Sequence, residues 1–516
     1  MSRHVRKIAC AFGVLLLAIG AVLSRAPVAA LATPAAEIAR PGLKWFNVAA
    51  PLPIASLRGR VVILDFWTEG CINCIHIIPI LHAIERKYPQ QVVVIGVHSP
   101  KFAEEKSAAS VQDAIARYEI RHPIVHDPEM SIWRDYGVEA WPTLVIVGPD
   151  GNVLIRLPGE PNPGAFGKAI DELVAAAGSS GALKPVQLEL ALTPEPKGRF
   201  LFPGKLKRAP AAKPQWVLAD AGHNQIVLLD DDGRDLQRYG SGEAGFKDGA
   251  AASATFDHPQ GLIADADAIF VADTGNHAIR RIDRASGSVS TLAGDGTRGG
   301  ALPDAPRLAR GGALASPWDL EKGGDHVYFA NAGTHQIGVL DLAKGNVARL
   351  AGSGAEDLVA GSATSAAFAQ PSGLALSADG KVLYVADAES SAIRAITLDD
   401  ARTQTLVGAG LFDFGKNNGT FAAARLQHPL GVALDGTHVL VADTYNSRIR
   451  SLDLAQRTVS DYDGGRFTCT DPICYPLREP AGIAVAGHDR LLLVDTGNQR
   501  IEEYRPSLKT SRTWAR

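Results

Sequence analysis

The first third of the chain alternates between continuous apolar runs and segments with helical periodicity. The runs at 61–64 and 92–97 carry no charge, which predicts buried strands. A third strand at 143–147 is followed by the turn signal Pro-Asp-Gly-Asn and a partner strand. The predicted helices lie at 75–84, 111–118, 131–136 and 166–177. Strands and helices in this alternation predict an α/β sheet covered on both faces.

The rest of the chain, after a Pro/Gly/Ala-rich stretch at 178–198, repeats one pattern six times. Each repeat has a proline at a strand start, an apolar strand ending in Ala-Asp or a similar pair, a Gly-Asn-like turn and an Ile-rich strand. The six prolines are Pro203, Pro259, Pro317, Pro371, Pro429 and Pro480. Each repeat is one small antiparallel sheet, and six of them predict a closed six-bladed β-propeller.

An aspartate recurs at the same place in five of the six repeats, and Asn331 takes its place in the third. A catalytic residue is needed only once, so this recurrence predicts a scaffold role. We expect each carboxylate to accept hydrogen bonds from the backbone of the turn that follows it. The alternating segment 186–192 could supply the outer strand of the last blade and close the ring, and 506–513 is the alternative.

The N-terminal residues have the pattern of a secretory signal peptide. Arg3, Arg6 and Lys7 precede the uncharged span 8–24, and small residues at 30–32 suit cleavage. The expected location is therefore outside the cytoplasm, in the periplasm. The length of this span is also borderline for an uncleaved membrane anchor, which would hold the protein on the outer face of the membrane. We expect contact with a membrane only in that case. The expected division is a signal peptide at 1–32, an α/β domain at 33–180, a linker at 181–198 and the propeller at 199–516.

Composition and charge exclude some classes of partner. The chain is 46% hydrophobic and 21% charged, as in ordinary soluble proteins. Its formal net charge of −3, with no basic cluster, argues against nucleic acid as a partner.

Cys71 and Cys74 stand where the first predicted strand ends and the first helix begins. There, unpaired backbone N–H groups and the helix dipole stabilise an anion such as a thiolate. The C-x-x-C spacing lets the second thiol close a disulfide with the first. A stable bridge or a metal pair is the alternative, but no Cys/His cluster at matching spacing supplies further ligands, so no metal is expected. His76, His82 and His98 are interpreted as helix-face or strand-end residues.

The other cysteines suggest a structural role. Cys10 lies within the signal peptide, whereas Cys469 and Cys474 enclose an Asp-Pro turn. We interpret this second pair as a structural disulfide, which suits an exported protein, and a second redox site is the alternative.

The first domain resembles the thioredoxin superfamily and, within it, the TlpA-like exported reductases. Four ordered motifs carry the likeness: Asp65, the Cys71/Cys74 pair, Pro79, and Trp-Pro-Thr at 141–143. The resemblance implies a redox-active disulfide with no other cofactor. In it, Cys71 attacks, Cys74 resolves, and Asp65 is a general base whose pKa is raised by burial. It also implies a cis peptide bond before Pro142 that presents backbone to a bound peptide.

Two departures from the family pattern concern the residues around Cys71. Gly70 replaces an aromatic residue, and Ile72-Asn73 replaces the Gly-Pro or Pro-Pro often found between the cysteines. Because the intervening pair tunes the potential, the direction of electron flow stays open. The Thr-x-x-Cys at 68–71 also fits part of the peroxiredoxin signature, but Leu64 does not, and the second cysteine is too close.

The six repeats resemble NHL repeats, and the domain order resembles that of NHL repeat-containing protein 2. The resemblance implies a multidomain protein, an α/β thioredoxin-like domain followed by an all-β six-bladed NHL propeller. Some related propellers are zinc lyases or calcium lactonases with ligands at the central channel. Here His258 and His428 are interpreted as loop caps, and the loops 294–312 and 411–415 as lining a binding face.

These features predict an exported thiol–disulfide oxidoreductase acting on protein thiols or disulfides together with a redox partner. Its propeller would bind or position a protein or peptide. The alternative is a non-catalytic scaffold whose thioredoxin-like domain is a docking surface. Of the two, the sequence favours the enzyme. A weaker third hypothesis makes the propeller a metal hydrolase or lyase. Substrate, electron donor and oligomeric state stay open.

Overall fold

The computed structural model describes residues 33–462, 468–469 and 476–516. The expected signal peptide and Cys474 therefore lie outside the described residues, as does the side chain of Cys469. Within the described ranges, no helix is long and apolar enough to cross a bilayer.

The N-terminal domain is a seven-stranded mixed sheet with the order β1-β7-β6-β3-β4-β5-β2. The central strands β3, β4 and β5 are parallel, β6 runs antiparallel to β3, and β7 runs antiparallel to β6. The strands are β1 Thr33–Pro34, β2 Trp45–Phe46, β3 Val61–Trp67, β4 Val92–His98, β5 Ile124–His126, β6 Thr143–Val147 and β7 Asn152–Pro158. The helices are α1 Ile72–Lys87, α2 Ala108–Arg117, α3 Ser131–Asp135 and α4 Pro163–Ser179.

Alternating side chains of β3 supply two cores, one on each face of this sheet. Leu64 and Phe66 pack with Tyr136 on one face, while Ile63 packs with α1 and α4 on the other, where Phe166 is buried. All seven residues of β3 are buried, which is why the strand is apolar apart from Asp65. The predicted α/β sheet covered on both faces is confirmed.

Six antiparallel sheets follow, one for each sequence repeat. The first three blades are β8 Pro203–Ala209, β9 Gln215–Asp220, β10 Gln225–Asp230 and β11 Asp235–Tyr239; β12 Gly261–Ala264, β13 Ala268–Asp273, β14 Ala278–Asp283 and β15 Val289–Ala293; and β16 Arg307–Leu308, β17 Pro317–Gly323, β18 His326–Asn331, β19 Gln336–Asp341 and β20 Asn346–Ala351. The last three are β21 Pro371–Leu376, β22 Val382–Asp387, β23 Ala392–Thr397 and β24 Arg402–Val407; β25 Gly419–Thr420, β26 Gly431–Asp435, β27 His438–Asp443, β28 Arg448–Asp453 and β29 Thr458–Asp461; and β30 Thr468–Cys469, β31 Pro480–Gly487, β32 Arg490–Asp495, β33 Arg500–Arg505 and β34 Thr510–Ala515.

The propeller closes through its innermost strands. Each inner strand contacts that of the next blade, and β31 of the sixth blade contacts β8 of the first. The last long strand on the outer side of the sixth blade is β34, which pairs with β33, and the two-residue β30 pairs in parallel with the other edge of β34. The segment 186–192 forms no strand. Its backbone instead hydrogen-bonds the N-terminal domain, with Val186 N donating to Gln90 O at 3.3 Å. The six-bladed fold is confirmed, and its outer strand is supplied at 510–515 rather than at 186–192.

The recurring aspartate braces each blade, but through a different backbone group from the one expected. In the second blade Asp273 accepts from Asp257 N, which precedes the blade, at 2.8 Å. It also accepts from the side chains of Asn276 and Arg280, at 2.9 and 2.7 Å. The same backbone bond is made by Asp220, Asn331, Asp387, Asp443 and Asp495. The scaffold role is confirmed, but the bonded backbone belongs to the segment before the blade, not to the following turn.

Candidate active site

The dithiol lies where β3 passes into α1. Cys71 caps α1, its Sγ accepting from Cys74 N at 3.2 Å, and both thiols are free. Cys71 is 8% exposed and Cys74 2% exposed. Burial raises the pKa of the Cys74 thiol well above its usual value, and the neighbouring Cys71 and Asp65 raise it further. Cys74 is therefore a buried thiol that needs a nearby base before it can act as a nucleophile.

Asp65 is a buried carboxyl that acts electrostatically on Cys74. It lies on β3, is 2% exposed, and its Oδ1 has no hydrogen-bond partner among the described residues. Burial raises the pKa of Asp65 to about 7, although nearby His122 lowers it. A carboxyl that titrates near neutrality can both accept and return a proton at that pH.

A buried carboxylate holds the loop before Cys71. Glu105 is fully buried and accepts from Thr68 Oγ1 at 2.6 Å and from Gly70 N at 3.0 Å. It also accepts from Lys101 N and Phe102 N. These bonds fix the backbone leading into the dithiol, so Glu105 is a positioning residue. Sequence analysis missed it because nothing in its local pattern distinguishes it from an exposed glutamate in the run Glu-Glu-Lys.

The Trp141–Pro142 bond is cis, as expected. Trp141 packs against the apolar cluster that contains both cysteines, and its Nε1 donates to Ser99 O at 2.8 Å. Pro142 is buried beside it. The loop thus lies against the dithiol, where the resemblance places it.

The propeller covers this site with the residue that precedes the repeat proline in each blade. The residue before each repeat proline has a left-handed backbone, with φ between 45° and 59°. These six residues, here named the rim residues, are Phe202, His258, Ser316, Gln370, His428 and Glu479. Each one lies against the N-terminal domain, and His258 does so through a hydrogen bond to the Arg117 backbone beside a shared cavity. The sequence motif that starts each blade therefore also builds an interface around the dithiol.

Gln370 makes the contact nearest to Cys71. Its Oε1 accepts from Ile72 N, and its Nε2 donates to Gly70 O, both at 2.8 Å. The amide thus spans the backbone on either side of the cysteine and is itself 1% exposed. Paired donor and acceptor bonds of this kind are how a peptide backbone is recognised. Nothing in the local sequence signals this role.

His428 and Phe102 pack the neighbouring part of the interface. The His428 ring stacks on Tyr445 at 4.4 Å and contacts Phe102 at 5.2 Å between ring centroids. A Cβ at Gly70 would lie 2.6 Å from His428 Cε1, so only glycine fits. The interpretation of His428 as a loop cap is wrong, because the ring packs on the other domain. His258 likewise lines a cavity shared with Arg117 of that domain.

Buried ion pairs join the two domains around the same face. Lys101 Nζ lies 2.5 Å from Glu389 Oε2, with both side chains 5% exposed. Arg117 lies 2.5 Å from Glu479 and 3.5 Å from Glu69. Burial raises the pKa of Glu69 well above its usual value, Glu479 raises it further and Arg117 lowers it. The Arg117 guanidinium thus forms ion pairs with two buried carboxyl groups.

Both loops expected to line a binding face do contact the N-terminal domain. Phe414 packs on Phe102 at 4.9 Å, and Arg298 pairs with Glu160 beside His76.

A buried lysine lies between the innermost strands of the propeller. Lys205 Nζ donates to Ala481 O at 2.6 Å and to Leu430 O. The inner strands of three blades are thereby joined by an ammonium group, which disfavours a metal cation beside it.

Comparison with known proteins agrees with this architecture. A thioredoxin-like family model matches residues 59–153. The chain is 37% identical to NHL repeat-containing protein 2 of Homo sapiens over 502 residues, which cover 89% of this chain and 69% of that one. It is 39% identical to Protein SUPPRESSOR OF QUENCHING 1, chloroplastic, of Arabidopsis thaliana, covering 89% of this chain but 45% of that protein. The chain thus spans less than half the length of the Arabidopsis relative.

The N-terminal domain alone has a further relative. It is 25% identical over 109 residues to the thiol-disulfide oxidoreductase ResA of Bacillus cereus, covering 21% of this chain and 61% of that one. The thioredoxin-like domain is therefore related to thiol–disulfide oxidoreductases. With a thioredoxin-like domain, six NHL-type blades and a relative matched over most of both chains, this protein belongs to the NHL repeat-containing protein 2 family.

Proposed function

We propose that the protein is a thiol–disulfide oxidoreductase whose own propeller covers the redox site between turnovers. The observation that carries the proposal is the arrangement of Cys71, Cys74 and Asp65. A capping thiol and a buried thiol lie near a carboxyl whose pKa is about 7. A purely structural protein has no use for an unpaired buried carboxyl beside two free thiols.

The proposed chemistry is thiol–disulfide exchange in two steps. The Cys71 thiolate attacks one sulfur of a substrate disulfide, that S–S bond breaks, and the other substrate sulfur leaves as a thiolate. Asp65 then takes the proton of Cys74, and the Cys74 thiolate attacks Cys71. The second substrate sulfur leaves, the Cys71–Cys74 disulfide forms, and the substrate is reduced by two electrons. A dithiol partner restores the reduced protein, and the reverse sequence would oxidise a substrate.

Access requires the rim residues to move away from the dithiol. Cys71 is 8% exposed, and Gln370 occupies the backbone groups on both sides of it. A protein disulfide therefore has to displace the propeller face before it can reach Sγ. The propeller thus controls whether a substrate can reach Cys71. The propeller's binding partner is a protein or peptide.

Trapping tests the proposal directly. A Cys74→Ser variant cannot resolve the mixed disulfide, so it should retain substrate proteins bound to Cys71 through a bond that dithiothreitol releases. A Cys71→Ser variant is the matched control, since it keeps one thiol but lacks the attacking one. Equal capture by the two variants, or none by Cys74→Ser, would instead support the non-catalytic scaffold.

We also propose that the chain acts after export, in the periplasm. The basic residues before an uncharged span, with small residues at 30–32, support this location. Fractionation of the native host, with the N-terminus of the purified protein determined by mass spectrometry, tests it. A cytoplasmic protein that retains residues 1–32 would contradict it.

A further inference from the structure

Behind the dithiol, the structure gathers three side chains that the redox chemistry does not use. His82 and Glu85 lie on one face of α1, three residues apart, and His122 lies just before β5. One ligand atom from each of the three lies within 4.8 Å of the others. His122 Nδ1 lies 3.5 Å from Glu85 Oε2.

Each of the two imidazoles has a buried nitrogen that makes no hydrogen bond within the described residues. His122 is 1% exposed, and its Nδ1 makes no hydrogen bond in the described part of the chain. The same holds for His82 Nε2, and the two rings lie 6.3 Å apart between centroids. Buried polar nitrogens nearly always make hydrogen bonds. Two buried imidazole nitrogens that make none, in residues grouped with the carboxylate of Glu85, therefore need an explanation.

Two arginines set the electrostatics around these three side chains. A neutral imidazole offers a lone pair to a metal ion. Arg86 and Arg121 act on His82 electrostatically and also repel a cation, so we expect micromolar rather than nanomolar affinity.

We propose that His82, Glu85 and His122 form a binding site for a zinc-class divalent ion. Two imidazoles and a carboxylate are a zinc donor set, with water as the fourth ligand, whereas Ca²⁺ and Mg²⁺ prefer oxygen ligands alone. Bonds of about 2.0 Å place tetrahedral ligands about 3.3 Å apart, close to the present separation of His122 and Glu85. Glu85 is 27% exposed in its side chain and can adjust to complete the site. The sequence suggested no metal because His122 lies 37 residues beyond Glu85, outside any ligand-spacing motif.

Zinc titration of the metal-stripped, untagged full chain tests the site. The Cys71→Ser/Cys74→Ser double variant is the parent, because the dithiol would otherwise bind zinc itself. We expect calorimetry to show one Zn²⁺ per chain, and Co²⁺ to bind without a thiolate charge-transfer band. His82→Gln and Glu85→Gln should each weaken Zn²⁺ binding at least about tenfold, since loss of even an outer-shell partner costs that much.

Two controls separate the site from unspecific binding and from misfolding. His488→Gln replaces an exposed histidine of the sixth blade and should leave the affinity unchanged. Circular dichroism should show the same apo melting temperature for His82→Gln as for the parent. No Zn²⁺ binding in the parent, or binding unaffected by both substitutions in α1, would overturn the proposal.

Discussion

Replacing Gln370 with alanine should expose Cys71 without touching the thioredoxin-like domain. The substitution leaves Gly70 O and Ile72 N buried and unpaired in the closed arrangement, whereas water satisfies both when the domains separate. Each unsatisfied buried group costs about 1–3 kcal/mol, so the two groups together destabilise the closed form by about 2–6 kcal/mol. Since 1.4 kcal/mol is tenfold in an equilibrium constant, opening should increase by at least about 30-fold.

Alkylation of the reduced protein by a small excess of iodoacetamide measures this opening. If alkylation of Cys71 proceeds through the open form, its rate should rise by the same factor of at least about 30. The Ile72 amide should lose protection from hydrogen exchange in parallel, because Gln370 is its acceptor.

Gln336 provides a matched control within the propeller. Its side chain also makes two bonds to backbone, from Leu302 N at 2.7 Å and to Gly352 O at 3.1 Å, and both partners lie in propeller segments that flank the strands of the third blade. Gln336→Ala should therefore lower stability to a similar extent without raising the alkylation rate. An unchanged rate in Gln370→Ala, or equal increases in both variants, would refute the view that the rim residues cover the dithiol.

Three further predictions concern the interface, the buried base and the blade braces. Gly70→Ala should also speed alkylation of Cys71, because its Cβ meets the packed His428 ring, and adding His428→Ala should reverse much of that effect. The pKa of Asp65 is about 7 in the folded protein, against an ordinary value of 3.8. The stability that comes from keeping Asp65 protonated is therefore fully present below about pH 4 and is lost as pH rises through 7. Urea unfolding should therefore show Asp65→Asn gaining about 4 kcal/mol relative to the parent between pH 4 and pH 8, and a gain independent of pH would contradict this. Asp387→Ala removes the carboxylate that pairs with fully buried Arg394, so unfolding by urea should show a loss of about 3–5 kcal/mol, and a loss below 1 kcal/mol would contradict the brace.

The fold was predictable because both domains repeat strong local signals. The buried strand β3 is apolar apart from Asp65, and the repeat prolines lie at or just before the innermost strand of every blade. The closing strand was harder to predict, since 186–192 alternates well but lies against the N-terminal domain. Alternation shows that a strand is possible and cannot show which sheet, if any, accepts it.

The candidate site was predictable only where its chemistry is local. Cys71, Cys74, Asp65 and the cis bond before Pro142 follow from a contiguous motif and one loop. The interface was not, because Gln370 lies 298 residues beyond Ile72 and resembles any polar turn residue. The rim position is informative in retrospect. Its six positions hold five different side chains whereas the following proline never changes, as expected where a scaffold presents a specific surface.

Redox equilibration of the dithiol tests the central claim most directly. The protein is held in a series of thiol redox buffers, quenched with an alkylating reagent, and the state of Cys71 and Cys74 is determined by mass spectrometry. Our account predicts a reversible two-electron transition between about −150 and −300 mV, whose midpoint gives the favoured direction of electron flow. A pair that never forms a disulfide, or one that resists reduction far below this range, would contradict it.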